Sequence, residues 1–205
     1  AIIVATSLSV QDDIICKWCS TNRVACFRGS ENDVLDRYMK AAQHFELGAV
    51  VRITADCPLI DPKIIAKLVK IFRLQQPDAL GLAGEFPDGL DCQIFSFPAL
   101  KKAWGKAKLQ SDREHVGSYI ENTNSKAFEI IRVELFKGLG FHRWTLDEPE
   151  DLIFLTKLIN GLEKKYEEYS TDDILKYLEE HSWLTKINSH IVRNEGFATA
   201  RLNDV

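Results

Sequence analysis

The sequence predicts an α/β domain built on a mostly parallel sheet with helices on both faces. Three observations carry that reading. Apolar, β-branched runs recur at AIIVATS (1–7), VACFRGS (24–30) and AVVRITADCPLI (49–60). The stretches between them have helical spacing, with Val34, Leu35, Tyr38, Ala41 and Ala42 on one face. Strands alternating with helices in this way form parallel sheets joined by crossover helices.

The remaining elements follow from local signals. Asp61-Pro62 opens the run KIIAKLVKIF, an acid at the cap and proline in the first turn. From residue 78, Gly81, Gly84, Pro87 and Gly89 read as a loop before an alternating strand, CQIFSF (92–97). Ser96-Phe97-Pro98 starts a helix to about Lys106, and Ser111 with Glu114 signals a second to about Asn122. Strands are expected at Glu129–Leu135 and Phe141–Leu146, and helices from Pro149 and Ser170 fill the last third. With neither repeats nor a low-complexity linker, residues 1–205 read as one domain.

Composition excludes several classes. The 26 Lys and Arg against 30 Asp and Glu give a net charge of -4, with the signs interspersed, which argues against a nucleic-acid partner. No apolar stretch approaches the roughly 18 residues of a membrane span, and no signal peptide is evident, so the expected location is cytoplasmic. Five cysteines, three as C-x2-C-x6-C (Cys16, Cys19, Cys26) without a fourth ligand, read as free thiols.

Two carboxylates stand where ligands bind open parallel sheets, at the carboxyl ends of strands. Asp56 follows VVRIT and precedes a turn, and Asp147 follows FHRWTL immediately before a helix. Each suits a magnesium ion, which takes one or two carboxylates beside phosphate oxygens and water. Each equally suits a turn or helix cap. Glu150 and Asp151 are read as complements of the helix dipole. No nucleophile motif such as G-x-S-x-G occurs, which disfavours covalent catalysis.

Five segments occur together in order: FRGSENDVLDRY (27–38), VVRITADCPLID (50–61), FPDGLDCQIFSF (86–97), SDREHVGSYI (111–120) and HRWTLDEPEDL (142–152). On these the chain resembles the spore-coat polysaccharide cytidylyltransferases, relatives of the acylneuraminate and KDO cytidylyltransferases, from Ala1 to INSHIVRNEGF (187–197). The resemblance implies a nucleotide-diphospho-sugar-transferase fold, a homodimer, and transfer of CMP from CTP to a sugar with release of pyrophosphate. It carries the magnesium and catalytic roles onto Asp56 and Asp147. Gly29 and Ser30 could turn backbone amides to the nucleotide, while Ser30 and Asp33 also form an S-x-x-D cap and Asp33 could pair with Arg37. Asp88 and Asp91 match the segment that faces the sugar, and Arg113, His115 and Arg143 offer charge to an acidic sugar or phosphate.

The family's opening strand and R-x-G-S-x-R-L-P-G-K loop have no counterpart here. The domain is therefore expected to be N-terminally truncated between the strand at 1–7 and the one ending at Asp56, and inactive alone. A nucleotide- or sugar-binding module without catalysis, and a glycosyltransferase on the same fold, stand as alternatives. The D-x-D acid pair common in the latter is replaced by Asp56-Cys57-Pro58.

Overall fold

A computed structural model describes residues 1–193, 201, 202 and 204. The expected ending 187–197 lies partly outside the described residues. Strands β1 (Ile3–Ser7) and β2 (Ala25–Gly29) pair in parallel around helix α1 (Asp13–Thr21). Helix α2 (Val34–His44) then leads to a second sheet of β3 (Ala49–Arg52), β4 (Ala79–Ala83), β5 (Gln93–Ser96) and β6 (Ile130–Glu134), in the order β3-β5-β4-β6. Its β4–β6 pair is parallel, whereas β5 runs antiparallel to both neighbours, so this sheet is mixed. Among the described residues β1 pairs only with β2 and β3 only with β5, leaving each with one edge that takes no strand.

The pleat divides the core. In the β4–β5 register Leu80 faces Ile94 and Ala79 faces Phe95. Because alternate residues point to opposite faces, Leu80 and Ile94 join a cluster with Leu68 of α3 (Pro62–Gln75), Leu158 of α6 (Pro149–Leu162) and Ile174 of α7 (Thr171–Glu180). Ala79 and Phe95 join Leu35 and Met39 of α2 and Leu100 of α4 (Phe97–Lys106) on the other side. Helices therefore cover both faces.

The caps at Asp61, Ser96 and Ser170 are those the sequence signals, whereas α2 is capped by Asp33 rather than by Ser30 of the expected S-x-x-D box. Asp33 accepts from Asp36 N–H at 2.9 Å, Ser96 from Ala99 N–H at 3.2 Å, and Asp61 from Lys63 N–H at 2.8 Å with Pro62 at the start of α3. The second oxygen of Asp61 also accepts from both the amide and the hydroxyl of Thr171 at 2.9 Å, so one carboxylate serves the starts of α3 and α7.

Three expected elements differ. Residues 79–83 form β4 rather than a loop: small residues let this strand lie buried between β5 and β6, and glycine at 81 masks its strand character. The first of the two helices expected after Ser96 is α4, but the second stops early. Helix α5 is Gln110–Glu114, with Leu109 rather than Ser111 at its cap, and the chain breaks before a π-turn at Tyr119–Thr123. Past the break the chain packs tightly at Gly117, where a Cβ would lie 2.8 Å from Phe95 Cζ and 2.9 Å from Gln93 Nε2. Finally, 141–146 is no ladder strand. It is an extended segment held at single points: Asp88 N–H donates to His142 O (2.9 Å), Trp144 N–H to Asp88 O (2.7 Å) and Leu146 N–H to Asp56 O (2.8 Å).

That threading depends on Gly89, which has φ +98 and backs onto the Trp144 carbonyl carbon; a Cβ there would sit 2.7 Å from it. Gly89→Ala is expected to cost about 1–3 kcal/mol of stability, because backbone rather than a yielding side chain is in the way. Urea denaturation measures this, and an unchanged midpoint would refute the steric account.

Candidate functional site

Asp56 and Asp147 arrive from elements 91 positions apart in sequence and meet through the backbone. The Leu146 amide donates to the Asp56 carbonyl, and Thr145 Oγ1 donates to the same carbonyl at 3.3 Å. Thr145 Oγ1 also lies 3.2 Å from Asp147 Oδ2. Asp147 precedes the cap of α6, which is Glu148, and its side chain is 48% exposed. Asp56 is half-buried, with the Cys57 thiol 3.5 Å from its Oδ1.

Arg143 lies beneath these acids. It is only 9% exposed, and its guanidinium donates to both oxygens of Asp151 (2.8–3.2 Å), to Asp147 Oδ2 (2.9 Å) and to Asp88 Oδ2 (3.4 Å). Burial opposes its charge, and the surrounding carboxylates more than offset this, raising its pKa further. For Asp151, fully buried, desolvation is likewise outweighed by Arg143, Asn188 and two backbone amides, so its carboxyl titrates below the usual range. Asn188 completes the hub, donating to Asp151 Oδ1 at 2.8 Å and to Arg143 O at 3.0 Å.

Arg193 extends the network. It lies 3.3 Å from Asp88 Oδ1 and 3.3 Å from Asp91, and donates to Phe86 O at 2.9 Å. Alternating charges thus run Asp147–Arg143–Asp88–Arg193–Asp91. Burial raises the Asp88 carboxyl's pKa despite its two arginines. Asp91 stands at the edge of a cavity of about 570 Å³ at the ends of β3 and β4, roofed by residues 115–122. His115 lines this cavity, and burial lowers its pKa. The volume is that of a small-molecule site.

The other expected site residues are placed differently. Arg113 is spent on Asp33, through Nε at 2.9 Å and a short Nη2 contact, and on Trp104 O at 2.7 Å. These two candidates thus pair with each other, clamping α5 to α2. Arg37 donates to Ser30 O at 2.9 Å, not to Asp33, and Ser30 Oγ accepts from Asp33 N–H at 3.0 Å. Gly29 is a packing position, since a Cβ would lie 2.8 Å from Arg37 Cγ. Arg143, expected at a ligand, is enclosed by carboxylates and acts on their placement instead.

Asp151, Asn188 and Arg193 escape the sequence reading. The signal for Asp151 is the spacing Arg143, Asp147, Asp151, three charges four apart, which dipole complementation hides. All five cysteines are free thiols, Cys16 and Cys26 Sγ lying 3.8 Å apart.

Among the described residues no three His, Cys, Asp or Glu side chains gather into a set able to hold a metal ion alone. The Leu146–Asp56 backbone bond sets the turn carrying Asp56 against the segment carrying Asp147, whose exposed carboxylate is the kind of ligand a magnesium ion takes beside phosphate and water.

Two outcomes test the hub. Arg143→Met leaves the Asp151 charge buried without its partner and is expected to cost about 3–5 kcal/mol, whereas Asp147→Ala, at the exposed end, should cost less than about 1 kcal/mol. Equal losses in urea denaturation would overturn this ranking. His142, buried between Phe141 and Trp144, has its pKa pushed by burial from the ordinary 6.5 down to about 4. The unfolded chain therefore binds the extra proton first, and stability should fall as pH drops from about 6.5 to 4. His142→Gln should flatten that part of the stability–pH curve, and an unaltered slope would count against the assignment.

The profile of the cytidylyltransferase family matches residues 1–193. The uncharacterized protein MJ1063 of Methanocaldococcus jannaschii is 36% identical over 194 residues, covering 93% of this chain and 77% of that protein. The spore coat polysaccharide biosynthesis protein SpsF of Bacillus subtilis is 30% identical over 163 residues, 73% of this chain and 63% of SpsF. Among solved structures, a cytidylyltransferase from Leptospira borgpetersenii superposes with a TM-score of 0.83 at 29% identity, covering 89% of this chain and 77% of that one. A nucleotide-diphospho-sugar transferase, described as putative, from Desulfovibrio desulfuricans shares the fold, with a TM-score of 0.50 at 14% identity over 88% of this chain and 74% of that one. Fold, ordered motifs and these matches together make the chain a member of the cytidylyltransferase family.

Proposed function

We propose that this nucleotidyltransferase moves CMP from CTP to a sugar hydroxyl, releasing pyrophosphate, in the synthesis of a surface or spore-coat polysaccharide. The observation that carries the reading is that the turn with Asp56, four residues beyond the end of β3, is joined to the segment with Asp147 by the Leu146–Asp56 backbone bond. Asp56 and Asp147 would hold magnesium, which supplies positive charge to the phosphate oxygens during in-line displacement at the α-phosphorus.

The chain's own residues do the positioning. Arg143 and Thr145 fix one oxygen of Asp147, so the carboxylate presents the other outward. The Asp61 cap and the Gly89 turn hold the two segments that carry the acids. SpsF, a relative with a role in spore coat polysaccharide biosynthesis, supports a sugar as acceptor. Use of CTP and five unpaired thiols support a cytoplasmic setting, and homodimerisation belongs to the same proposal. No helix of the described residues is long and apolar enough to cross a membrane.

The assay is pyrophosphate release by the full-length protein with CTP, magnesium and a panel of sugars. Asp56→Ala and Asp147→Ala are each expected to lower the rate at least about 100-fold, with the unfolding midpoint nearly unchanged. Full activity in both variants would remove the metal role, and turnover of a nucleotide sugar without CTP would move the enzyme to glycosyl transfer.

A further inference from the structure

Helix α1 sits on strand β2 through thiols and an ion pair rather than through its large apolar side chains. Ile14 is 74% and Trp18 57% exposed, whereas Cys19 is fully buried. Positions 13, 16 and 19 recur every three residues and so lie along one stripe of the helix. On β2, Cys26 and Arg28 share a face, because alternate strand residues point the same way. The two stripes meet twice: Arg28 Nη1 pairs with Asp13 Oδ1 at 2.6 Å, and Cys26 Sγ lies 3.8 Å from Cys16 Sγ. Phe27, on the opposite face of β2, turns to His44 of α2.

Three of the chain's five cysteines therefore stand at one helix–strand contact, with Cys19 also close enough to act on Cys26. Among the described residues they form no set able to hold a metal ion. The chemistry left to neighbouring thiols is exchange with a disulfide. The three differ in access: Cys16 and Cys26 are partly exposed and Cys19 is sealed. Burial, with the thiols of Cys16 and Cys19, pushes the Cys26 thiol up to about 12. Cys26 thus holds its proton, and the first attack falls to Cys16. Cys57 and Cys92 are buried, and burial pushes their thiols up to about 12 and about 11, so they serve as internal controls.

We propose that Cys16 and Cys26 are a reversible dithiol–disulfide pair that exchanges with small disulfides and, when oxidised, ties α1 to β2. The Cys16 thiolate attacks one sulfur of the small disulfide, forming a mixed disulfide and releasing one thiolate. Cys26 then gives its proton to water and its sulfur attacks that of Cys16, releasing the second thiolate. Two protein thiols lose two electrons and two protons, and the small disulfide is reduced to two thiols. The link closes a short loop from 16 to 26, which restricts the unfolded chain and stabilises the oxidised form. The pair is independent of the nucleotidyl-transfer reading.

The test is to incubate the reduced full-length protein with glutathione disulfide, block remaining thiols with iodoacetamide and digest with trypsin. Cleavage after Lys17, Arg23 and Arg28 puts Cys16, Cys19 and Cys26 in three separate peptides, so the map shows which two are joined. The peptide ending at Lys17 is expected linked to 24–28, formed at least about tenfold faster than any adduct at Cys57 or Cys92. The oxidised protein should unfold at a higher urea concentration than the reduced one. Cys26→Ser should stop at a glutathione adduct on Cys16, and Cys19→Ser should keep the link. The wild-type peptide map needs no variant to fold. A link through Cys19, adducts without a link, or no reaction until urea is added overturns the pair.

Discussion

A guanidinium buried among three carboxylates is the constraint on which the rest of the site depends. Taking Arg143 and Asp151 out of water costs several kcal/mol per ion, and only close, multiply hydrogen-bonded partners return it. The structure meets that demand from four places in the chain: the 86–91 loop with Asp88, the extended 141–147 segment, the first turn of α6 with Asp151, and Asn188 near the end of the described chain. Each must be in place before the charge is compensated. The acids that face outward are then set by an ion pair buried below them.

The same network joins the two halves of the candidate site. Asp147 looks outward above the hub, and Asp91 stands at the cavity, with Arg143, Asp88 and Arg193 between them. Because the connecting charges alternate, a change at one end alters the electrostatic surroundings of the other through contacts rather than across solvent.

Much of this was legible in the sequence where a residue's role is local. The strands at 1–7, 24–30, 92–97 and 129–135, and the caps at Asp61, Ser96 and Ser170, depend on neighbours within a few positions, and the structure has them. What failed depends on distant partners. Strand β4, ALGLA, is held as a strand by β5 and β6 on its two sides, and a local reading is misled by its glycine. The helix expected from Ser111 to about Asn122 gives way to a segment in which Gly117 packs on Gln93 and Phe95, over 20 positions away. Asp151 looks like a dipole complement until Arg143 folds back on it. Arg113 and Asp33, each plausible at a ligand, satisfy each other across 80 positions.

Asp61 ties the starts of α3 and α7 together with a single side chain, across 110 positions. Burial raises its pKa, but the amides of Thr171 and Lys63 and the Thr171 hydroxyl hold the carboxyl below the usual range. Departure of α7 would leave Asp61 on the Lys63 amide but strip its other oxygen of both Thr171 donors, so opening the start of α7 costs a buried carboxylate its hydrogen bonds. Amide exchange at the start of α7 should then be slowed by its tie to α3, so that this helix opens with the fold's interior rather than as an appendage.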